Sequence, residues 1–366
     1  MHKIFSMNGA VLVSGGVDSS VALRLLKAEG HTLTAFYLKI WLEDELSFLG
    51  ECPWEDDLAY ARAVCEEVGV PLEIVPFQKE YWERVIAYTI DEVKAGRTPN
   101  PDMLCNARIK FGAFYDAFGK DFDKVATGHY AQTEEKDGIT FLKMSPDAIK
   151  DQTYFLSQLS QAQIAKALFP IGGFKKERVR ELAAEFHLPN ATRKDSQGIC
   201  FLGKIPFDKF LEHHLGKRPG KLIEYETKKI LGEHDGFWYF TVGQRKGIRL
   251  AGGPWYVVAK NPDTNEVFIS HSDHHNLLAR DAFTVGGLNW IAGEKPEKTR
   301  LSVKVRHGAK RYPATIEFLE NGVLKVLLQE KDPGLAAGQF AVFYDDECCL
   351  GGGVIEESSR AESAEE

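Results

Sequence analysis

Three stretches of this 366-residue chain carry residue types and spacings that can do chemistry. The first is VLVSGGVDSS, Val11 to Ser20. A strand pattern delivers the chain to Ser14, Gly15 and Gly16 allow a tight turn, and a helix pattern begins near Asp18. Unpaired N–H groups and the positive end of the helix dipole make such a junction a phosphate cradle. No Lys-Ser/Thr pair follows the glycines, so this is not the P-loop of kinases and GTPases. A Gly-Gly turn with an ordinary Asp/Ser helix cap is the bland alternative; the strand before and the helix after weigh against it.

The second stretch is TPNPDMLCNARIKFG, Thr98 to Gly112. Its prolines interrupt helix, and Asp102 and Cys105 then stand three residues apart. A helix starting near Asp102 places both on one face, in a first turn whose dipole favours a thiolate. A lone cysteine is more often buried filler, so this motif says little by itself. The third is KDSQGICFLG, Lys194 to Gly203, where Cys200 follows a polar, glycine-containing loop with Arg193 and Lys194 close by. Those cations lower a thiol pKa from its reference of ~8.5. Taken alone, Cys200 could equally open a short buried strand.

The elements that position these residues follow from periodicity. AVLVS from Ala10, a helix from about Asp18 to Glu29 and TLTAFYLKI from Thr32 form a βαβ start. A helix through Trp54 to Val68, the strand LEIVPF from Leu72, a helix from about Glu80 to Ala95 and the strand KVATGHYA from Lys124 continue it. Alternation of this kind predicts an α/β domain with a doubly wound parallel sheet and ligands at the carboxyl ends of its strands. Residues from Asp151 to about Leu188 read as helical, and Phe207 to Leu215 as the last convincing helix. Beyond it lie short β-rich runs bounded by turn residues: WYFTVGQ, PWYVVAKNPDTNEVFIS, RLSVKVRHG, ATIEFLENGVLKVLL and FAVFYDDECCLGGGVI. They predict a small central β-rich domain and a C-terminal β-barrel-like domain. The expected divisions are 1–206, 207–280 and 281–355, with 356–366 a charged, disordered tail. No internal repeat is visible.

Composition bounds the class. At ~150 residues per domain the length allows two or three domains. Hydrophobic residues at 44% and charged residues at 27% exclude wholesale disorder and collagen-like repeats. No apolar run reaches the ~18 to 20 residues of a membrane span, and Met1 to Ala10 lacks the apolar region of a signal peptide. A cytoplasmic address without membrane partners is therefore expected, and with it free thiols. The six cysteines, 52, 65, 105, 200, 348 and 349, show no paired zinc spacing. The net charge of −8 conceals a segregation. Residues 1–130 hold 13 Lys/Arg against 20 Asp/Glu, net −7; residues 131–311 hold 29 against 21, net +8; residues 312–366 hold 3 against 12, net −9. A polyanion-binding stripe in the middle and an ordinary solvated surface fit that count equally well.

The combination is more specific than its parts. SGGVDS matches the pyrophosphate-binding loop of the ATP pyrophosphatase (PP-loop) family, which cleaves ATP between its α and β phosphates and adenylates a substrate oxygen. With both cysteine motifs, HYA at His129 to Ala131, KDQTYFLSQL at Lys150 to Leu159 and GEHDGFWYFTVGQRKGI at Gly232 to Ile248, the chain closely resembles the tRNA-specific 2-thiouridylase family over nearly its whole length. Val13 and Leu38, where members often have Met, and Gln197, where Thr is common, are mild departures.

The resemblance implies ATP-dependent replacement of the 2-oxygen of the tRNA wobble uridine by sulfur. By the same resemblance, ATP is bound by Leu12, Val13, Ser14, Gly15, Gly16, Val17, Asp18 and Ser19, with Leu38 and Gly128 at the nucleoside. Asn100, Pro101 and Asp102 contact the target base; Cys200 carries a persulfide, Cys105 attacks it, and Asp102 is the acid/base. Contacts to tRNA are implied for His129, Lys150, Asp151, Gln152, Arg311, Tyr312 and Gln339, with stacking open to Tyr312. Partners implied are tRNAs for Lys, Glu and Gln and a sulfur donor, either a cysteine desulfurase or a relay carrier. Magnesium is expected with ATP, although no dedicated carboxylate cluster is visible. HSDHH, His271 to His275, has no second cluster to complete a metal site, and adjacent Cys348 and Cys349 are expected to pack as small side chains. The rivals are another PP-loop enzyme adenylating a small molecule, which needs neither cysteine motif, and a non-catalytic RNA-binding relative.

Overall fold

Side chains along β1 (Asn8–Leu12) and into the following loop alternate between two cores: Ala10 and Leu12 enter one, Val11 and Val13 the other. A strand apolar on both faces needs cover on both, which is the signature of a parallel α/β sheet. In this computed structural model, which describes residues 6–41, 54–195, 205–320 and 322–359, β1 lies inside a five-stranded sheet. Its neighbours are β2 (Thr32–Lys39), β3 (Leu72–Pro76), β4 (Lys124–Ala126) and β7 (Ala167–Leu168), in the order β3-β2-β1-β4-β7, all parallel. The chain moves outward from β1 to β3 and then returns to the other side as β4. That reversal puts a topological switch point between the carboxyl ends of β1 and β4.

One face of the sheet is covered by α1 (Val17–Ala28), α2 (Trp54–Val68) and α5 (Lys176–Glu185), through Val21, Val64 and Val179 among others. The other face meets two helical runs, Gln78–Tyr81 through Ala87–Lys94 and Pro101–Leu104 (α3) through Phe114–Phe118. Both contain wide π-type turns, Trp82–Ile86 and Cys105–Ala113. Widening loosens the i→i−4 ladder. Gln163 Nε2 repairs the second one by donating to the carbonyls of Ala107 (3.0 Å) and Phe111 (2.8 Å).

After α6 (Phe207–Leu215), a four-stranded central sheet runs β10-β11-β8-β9, built from β8 (Gly220–Glu224), β9 (Ile230–His234), β10 (Trp255–Asn261) and β11 (Glu266–His271). Six antiparallel strands then close a barrel: β12 (Arg280–Trp290), β15 (Leu324–Asp332), β14 (Tyr312–Phe318), β13 (Arg300–Lys304), β16 (Phe340–Asp345) and β17 (Cys348–Ser359), with β17 pairing back to β12. The α/β domain, central sheet and barrel are the expected architecture.

Five local expectations differ. Residues 356–359 of the expected disordered tail continue β17 and pair with β12, Ser358 opposite Phe283 and Ser359 opposite Ala282. WYFTVGQ forms a 3₁₀ turn, Phe237–Tyr239, and a loop instead of a strand, in which the Gln244 side chain accepts from Thr241 N and donates to Lys246 O in place of ladder pairing. The strand from Lys124 stops at Ala126, and Ala167–Leu168, inside the stretch read as helical, pairs with it as the sheet's edge strand. Ala131–Lys136 (β5) and Ile139–Met144 (β6) form a hairpin that periodicity missed, and β6 pairs with β17 of the barrel.

The barrel and the first domain share a core. On β16, Ala341 and Phe343 fill the barrel while Phe340, Val342 and Tyr344 pack into the core of the parallel sheet's helices, which is why this strand reads as a continuous apolar run. A buried ion pair, Lys304 Nζ to Asp151 Oδ2 at 3.0 Å, crosses the same junction.

Candidate active site

The loop after β1 is held open at the start of α1. Gly16 caps that helix without a side-chain bond, while Ser19 and Ser20 both turn their hydroxyls back to the Gly16 carbonyl (3.1 and 2.9 Å). Ser14 N donates to Ser19 Oγ at 3.2 Å. The first helical N–H groups are thus left for an anion in a 12-residue helix. Gly15 has φ +73°, and a Cβ there would lie 2.1 Å from the Asp57 carbonyl oxygen. The neighbour a side chain would strike is therefore the start of α2. From β4, Gly128 presses against the same turn, where a Cβ would come within 2.6 Å of Ser19 N. Leu38 lies at the carboxyl end of β2. Every residue expected to bind ATP is gathered at the carboxyl ends of three adjacent strands.

Four residues outside the set expected to bind ATP brace this loop. Asn190, 1% exposed, donates from Nδ2 to Gly15 O and to Ser20 Oγ at 2.8 Å each. Arg193 donates to Gly15 O at 3.1 Å, pairs with Asp57 and lies over the Tyr60 ring at 4.7 Å. Lys176 reaches both Asp18 oxygens, at 2.7 and 2.9 Å, and Tyr130 OH donates to Asp18 Oδ1 at 2.8 Å. Burial first, then the Asp18 charge, push the Tyr130 phenol far above its ordinary pKa, so it stays a donor. Arg193 carried a signal in its place beside the Cys200 motif, and Tyr130 stands inside the HYA motif. Lys176 reads as one of several surface charges in KKERVR, and Asn190 as a helix break.

Lys176 also contacts Asp195 at 2.8 Å, as does Lys150, and Arg180 pairs with the same carboxylate. Burial works against the Asp195 charge, but the Lys150 and Lys176 hydrogen bonds and charges overcome it and hold the carboxyl well below the usual range. Asp195 is the second residue of the third motif, and the described chain breaks off directly after it. Gln197, Cys200 and Cys52 lie outside the described residues.

Asp102 lies on α3, and Cys105, one residue past its end, opens the π-type turn that continues it. Asn100 Oδ1 accepts from Met103 N at 3.3 Å and Pro101 occupies the first turn, so the helix starts one residue before the expected position. Cys105 is 1% exposed, in the same core as Leu12 and Met103. A neighbouring path links it to the phosphate loop: Lys110 Nζ donates to Asn106 Oδ1 at 2.9 Å, and the Lys110 charge is felt by His129, the residue after Gly128. Burial first, then Lys110, keep His129 far below its ordinary pKa, so it is neutral, with Nδ1 2.7 Å from Thr127 Oγ1.

The barrel completes the surroundings. Thr98 N donates to Ala337 O at 2.8 Å, and Tyr154 OH to Phe340 O at 3.1 Å, which sets Gln339 beside the chain leading into Asn100. His307, on the loop between β13 and β14, packs against Phe155 with the rings tilted by 33° and their centroids 4.6 Å apart. Partial burial and the Lys304 charge hold its imidazole below the usual value, while Asp151 and Asp102 pull it the other way. His307 was not singled out in the sequence; its proximity to Asp102 exists only in the tertiary fold.

Several residues expected at tRNA are otherwise engaged. Asp151 is buried, its carboxylate held by Lys304, Thr153 Oγ1 and Ser145 N. Gln152 exchanges hydrogen bonds with the Tyr130 backbone, N to O and N to Oε1, at 2.9 Å each. The stacking left open to Tyr312 is corrected: its ring belongs to the barrel core, its hydroxyl bonds Asp332, and Lys310 covers the ring at 4.1 Å. A stacking platform needs a free face, which this ring lacks. Arg311 is exposed and donates to Asp346 O. Cys348 and Cys349 carry free thiols, and Cys349 packs with Sγ 3.8 Å from Thr153 O.

Comparison with known proteins places these features in company. Family models match over residues 7–204 (tRNA methyl transferase HUP domain), 208–271 (tRNA methyl transferase PRC-barrel domain) and 280–355 (Aminomethyltransferase beta-barrel domain). The chain is 45% identical over 360 residues to tRNA-specific 2-thiouridylase MnmA of Parabacteroides distasonis, covering 97% of this chain and all of the relative (100%). It is 45% identical over 356 residues to tRNA-specific 2-thiouridylase MnmA 1 of Bacteroides thetaiotaomicron (95% of this chain, 99% of the relative). It is 43% identical over 364 residues to the MnmA of Porphyromonas gingivalis, with 95% and 99% covered.

Proposed function

Because the chain belongs to the tRNA-specific 2-thiouridylase family, we propose that it uses ATP to exchange the 2-oxygen of the wobble uridine of tRNA for sulfur. The observation that carries the reading is the open N-terminus of α1 at the switch point, with Asp102 and Cys105 on the adjoining helix. A methyl transfer, the wording of the family descriptions, consumes no nucleoside triphosphate and leaves that phosphate cradle without a role.

The chemistry explains the parts. A pyrimidine carbonyl oxygen is a poor leaving group, and adenylation converts it into AMP. The loop Leu12–Ser19 holds the triphosphate on backbone N–H groups, with Lys176 close enough to offset its charge. Leu38 and Gly128 flank the nucleoside. Magnesium would arrive with the nucleotide and be held mainly by its phosphates: among the described residues no group of three or more His, Cys, Asp or Glu side chains could hold a metal ion, and both Asp18 oxygens are engaged by Lys176. Asn100 to Asp102 face the base, and Asp102 moves the proton.

Sulfur arrives as a Cys200 persulfide loaded by a desulfurase or carrier. Its terminal sulfur attacks C2, and AMP leaves with the oxygen. The Cys105 thiolate attacks Cys200 Sγ; the new disulfide takes its electron pair, and the old S–S pair stays with the sulfur on the base. A thiol reductant then restores both cysteines. Cys105 is buried as the protein stands, so this step requires a rearrangement that exposes it. The acceptors expected are tRNAs for Lys, Glu and Gln. Among the described residues no helix is long and apolar enough to cross a membrane.

The test is to incubate protein, ATP, sulfide or a desulfurase with cysteine, and unmodified tRNA, then digest the RNA and measure 2-thiouridine by mass spectrometry. ATP-dependent 2-thiouridine at the wobble position supports the reading. ATP turnover stimulated by a small molecule, without thiolated RNA, overturns it.

A further inference from the structure

The loop that leads from the 3₁₀ turn Phe237–Tyr239 into β10 is braced as a rigid mount for positive charge. Gln244 ties both of its ends: Oε1 accepts from Thr241 N and Nε2 donates to Lys246 O, at 2.8 Å each. Backbone bonds Gly243 N to Val257 O (2.8 Å) and Val257 N to Gln244 O (2.9 Å) fasten it to β10. Ile248, 5% exposed, plugs the loop into the central core beside Val257. The residues left outside are Arg245, Lys246 and Arg249, all exposed, and among the described residues none of them has an ion-pair partner. In the same domain Lys217 is paired with Glu212 and Asp235.

Placement gives this charge a direction. Gly243 packs against the barrel, where a Cβ would lie 3.0 Å from Gly334 Cα. Gly334 in turn abuts the Arg306 guanidinium, 2.9 Å from where its own Cβ would be. Arg306 is half exposed, and the next residue, His307, is the one whose titration feels Asp102. The contacts therefore run from the central domain across the barrel towards the catalytic helix, and because Arg306 on that path is paired with Asp332, the uncompensated charge at its outer end is that of Arg245, Lys246 and Arg249. Like charges fixed on a preformed surface repel one another and favour a polyanion that spans them.

We propose that the loop 243–250 docks the phosphodiester backbone of the tRNA arm whose wobble base enters the site. The proposal rests on the tRNA reading above. It concerns position, not base identity: phosphate contacts set register and leave sequence to the pocket.

The test compares wild type with R245A/K246A/R249A. Anisotropy of labelled, unmodified tRNA is read from about 50 to 300 mM salt, beside thiolation kinetics. We expect the salt slope to fall by about 2 to 3 and the KM for tRNA to rise about tenfold or more. The kcat and the KM for ATP should not move. K27A/K79A/K120A, which removes three exposed lysines from the acidic first 130 residues, should change the slope little. Equal losses from both triple variants, or unchanged affinity and slope in the loop variant, overturn the proposal. If the loop variant melts early, Lys246→Gln alone should lower the slope by about 1 with no change in melting, and no change of slope refutes the docking role. Wild type that binds no tRNA defeats the tRNA reading itself, and the proposal with it.

Discussion

Asn190 allows the bracing of the phosphate loop to be measured. Its amide nitrogen donates two hydrogen bonds, to Gly15 O and Ser20 Oγ, while its Oδ1 is buried without a partner. Asn190→Ala removes both donors. Gly15 O keeps its bond from Arg193, and Ser20 Oγ keeps its bond to Gly16 O, so neither partner is stranded. Two net hydrogen bonds are worth about 2 kcal/mol, and deleting the unsatisfied oxygen returns about 1 kcal/mol, to which a small cavity adds back a fraction. The expected loss is about 1–2 kcal/mol, a fall of about 2–8 °C in the midpoint of a domain this size. Asn190→Asp is the sharper variant. It keeps the shape, loses both donors and buries a carboxylate against a carbonyl, for a cost of at least about 3 kcal/mol near neutral pH. Burial raises the folded-state pKa of that carboxyl above its unfolded value. The folded state then holds more protons, so stability falls as pH rises and recovers as pH drops. Thermal melts of the three proteins from about pH 5 to 8, paired with the KM for ATP, provide the assay. Asn190→Ala should raise the KM because the loop is no longer pre-set, and the Asp variant should lie below Ala at pH 8 and close the gap at pH 5. Equal melting of all three at pH 8 would show that the amide does not hold the loop.

Gly15→Ala should abolish ATP-dependent turnover by driving the loop away from the Asp57 carbonyl, with about 1–2 kcal/mol more from the left-handed backbone; normal turnover would mean that the loop tolerates the displacement. Lys304→Met strands the Asp151 carboxylate at the barrel junction and should destabilise by about 3–5 kcal/mol, most of it recovered in D151N/K304M, as read by chemical denaturation. A double variant no better than the single one would show that the pair, and not the stranded charge, supplies the stability. Cys200→Ser should prevent persulfide loading, whereas Cys105→Ser should load Cys200 and stop before transfer. Peptide mass spectrometry after treatment with desulfurase and cysteine distinguishes the two, and persulfide found on Cys105 alone would reverse their roles. Cys105 in the free protein should also alkylate far more slowly than an exposed thiol, and rapid labelling would contradict its burial.

What the sequence determined by itself is what short-range physics encodes. The Gly-Gly turn between a strand and a helix identified an anion site because turn, dipole and uncapped N–H groups all lie within ten residues. The three-residue spacing of Asp102 and Cys105 implied a helix face starting near Asp102, one residue after the start that the Asn100 cap and Pro101 set in the fold. The β-rich run ATIEFLENGVLKVLL, broken by its Asn-Gly turn, announced the strands β14 and β15. Only the tertiary structure decided which distant side chains serve the loop: Lys176 meets Asp18 across 158 residues, and Asn190 meets Gly15 across 175. A lysine in a charged helix start and an asparagine after a proline look the same in sequence whether they face water or a carboxylate. Tyr312 and Asp151, expected at tRNA, lie in the barrel core and its junction for the same reason. Their burial is created by strands that pair far apart in the chain, with β6 of the first domain laid against β17 of the barrel, and no local period records such a pairing.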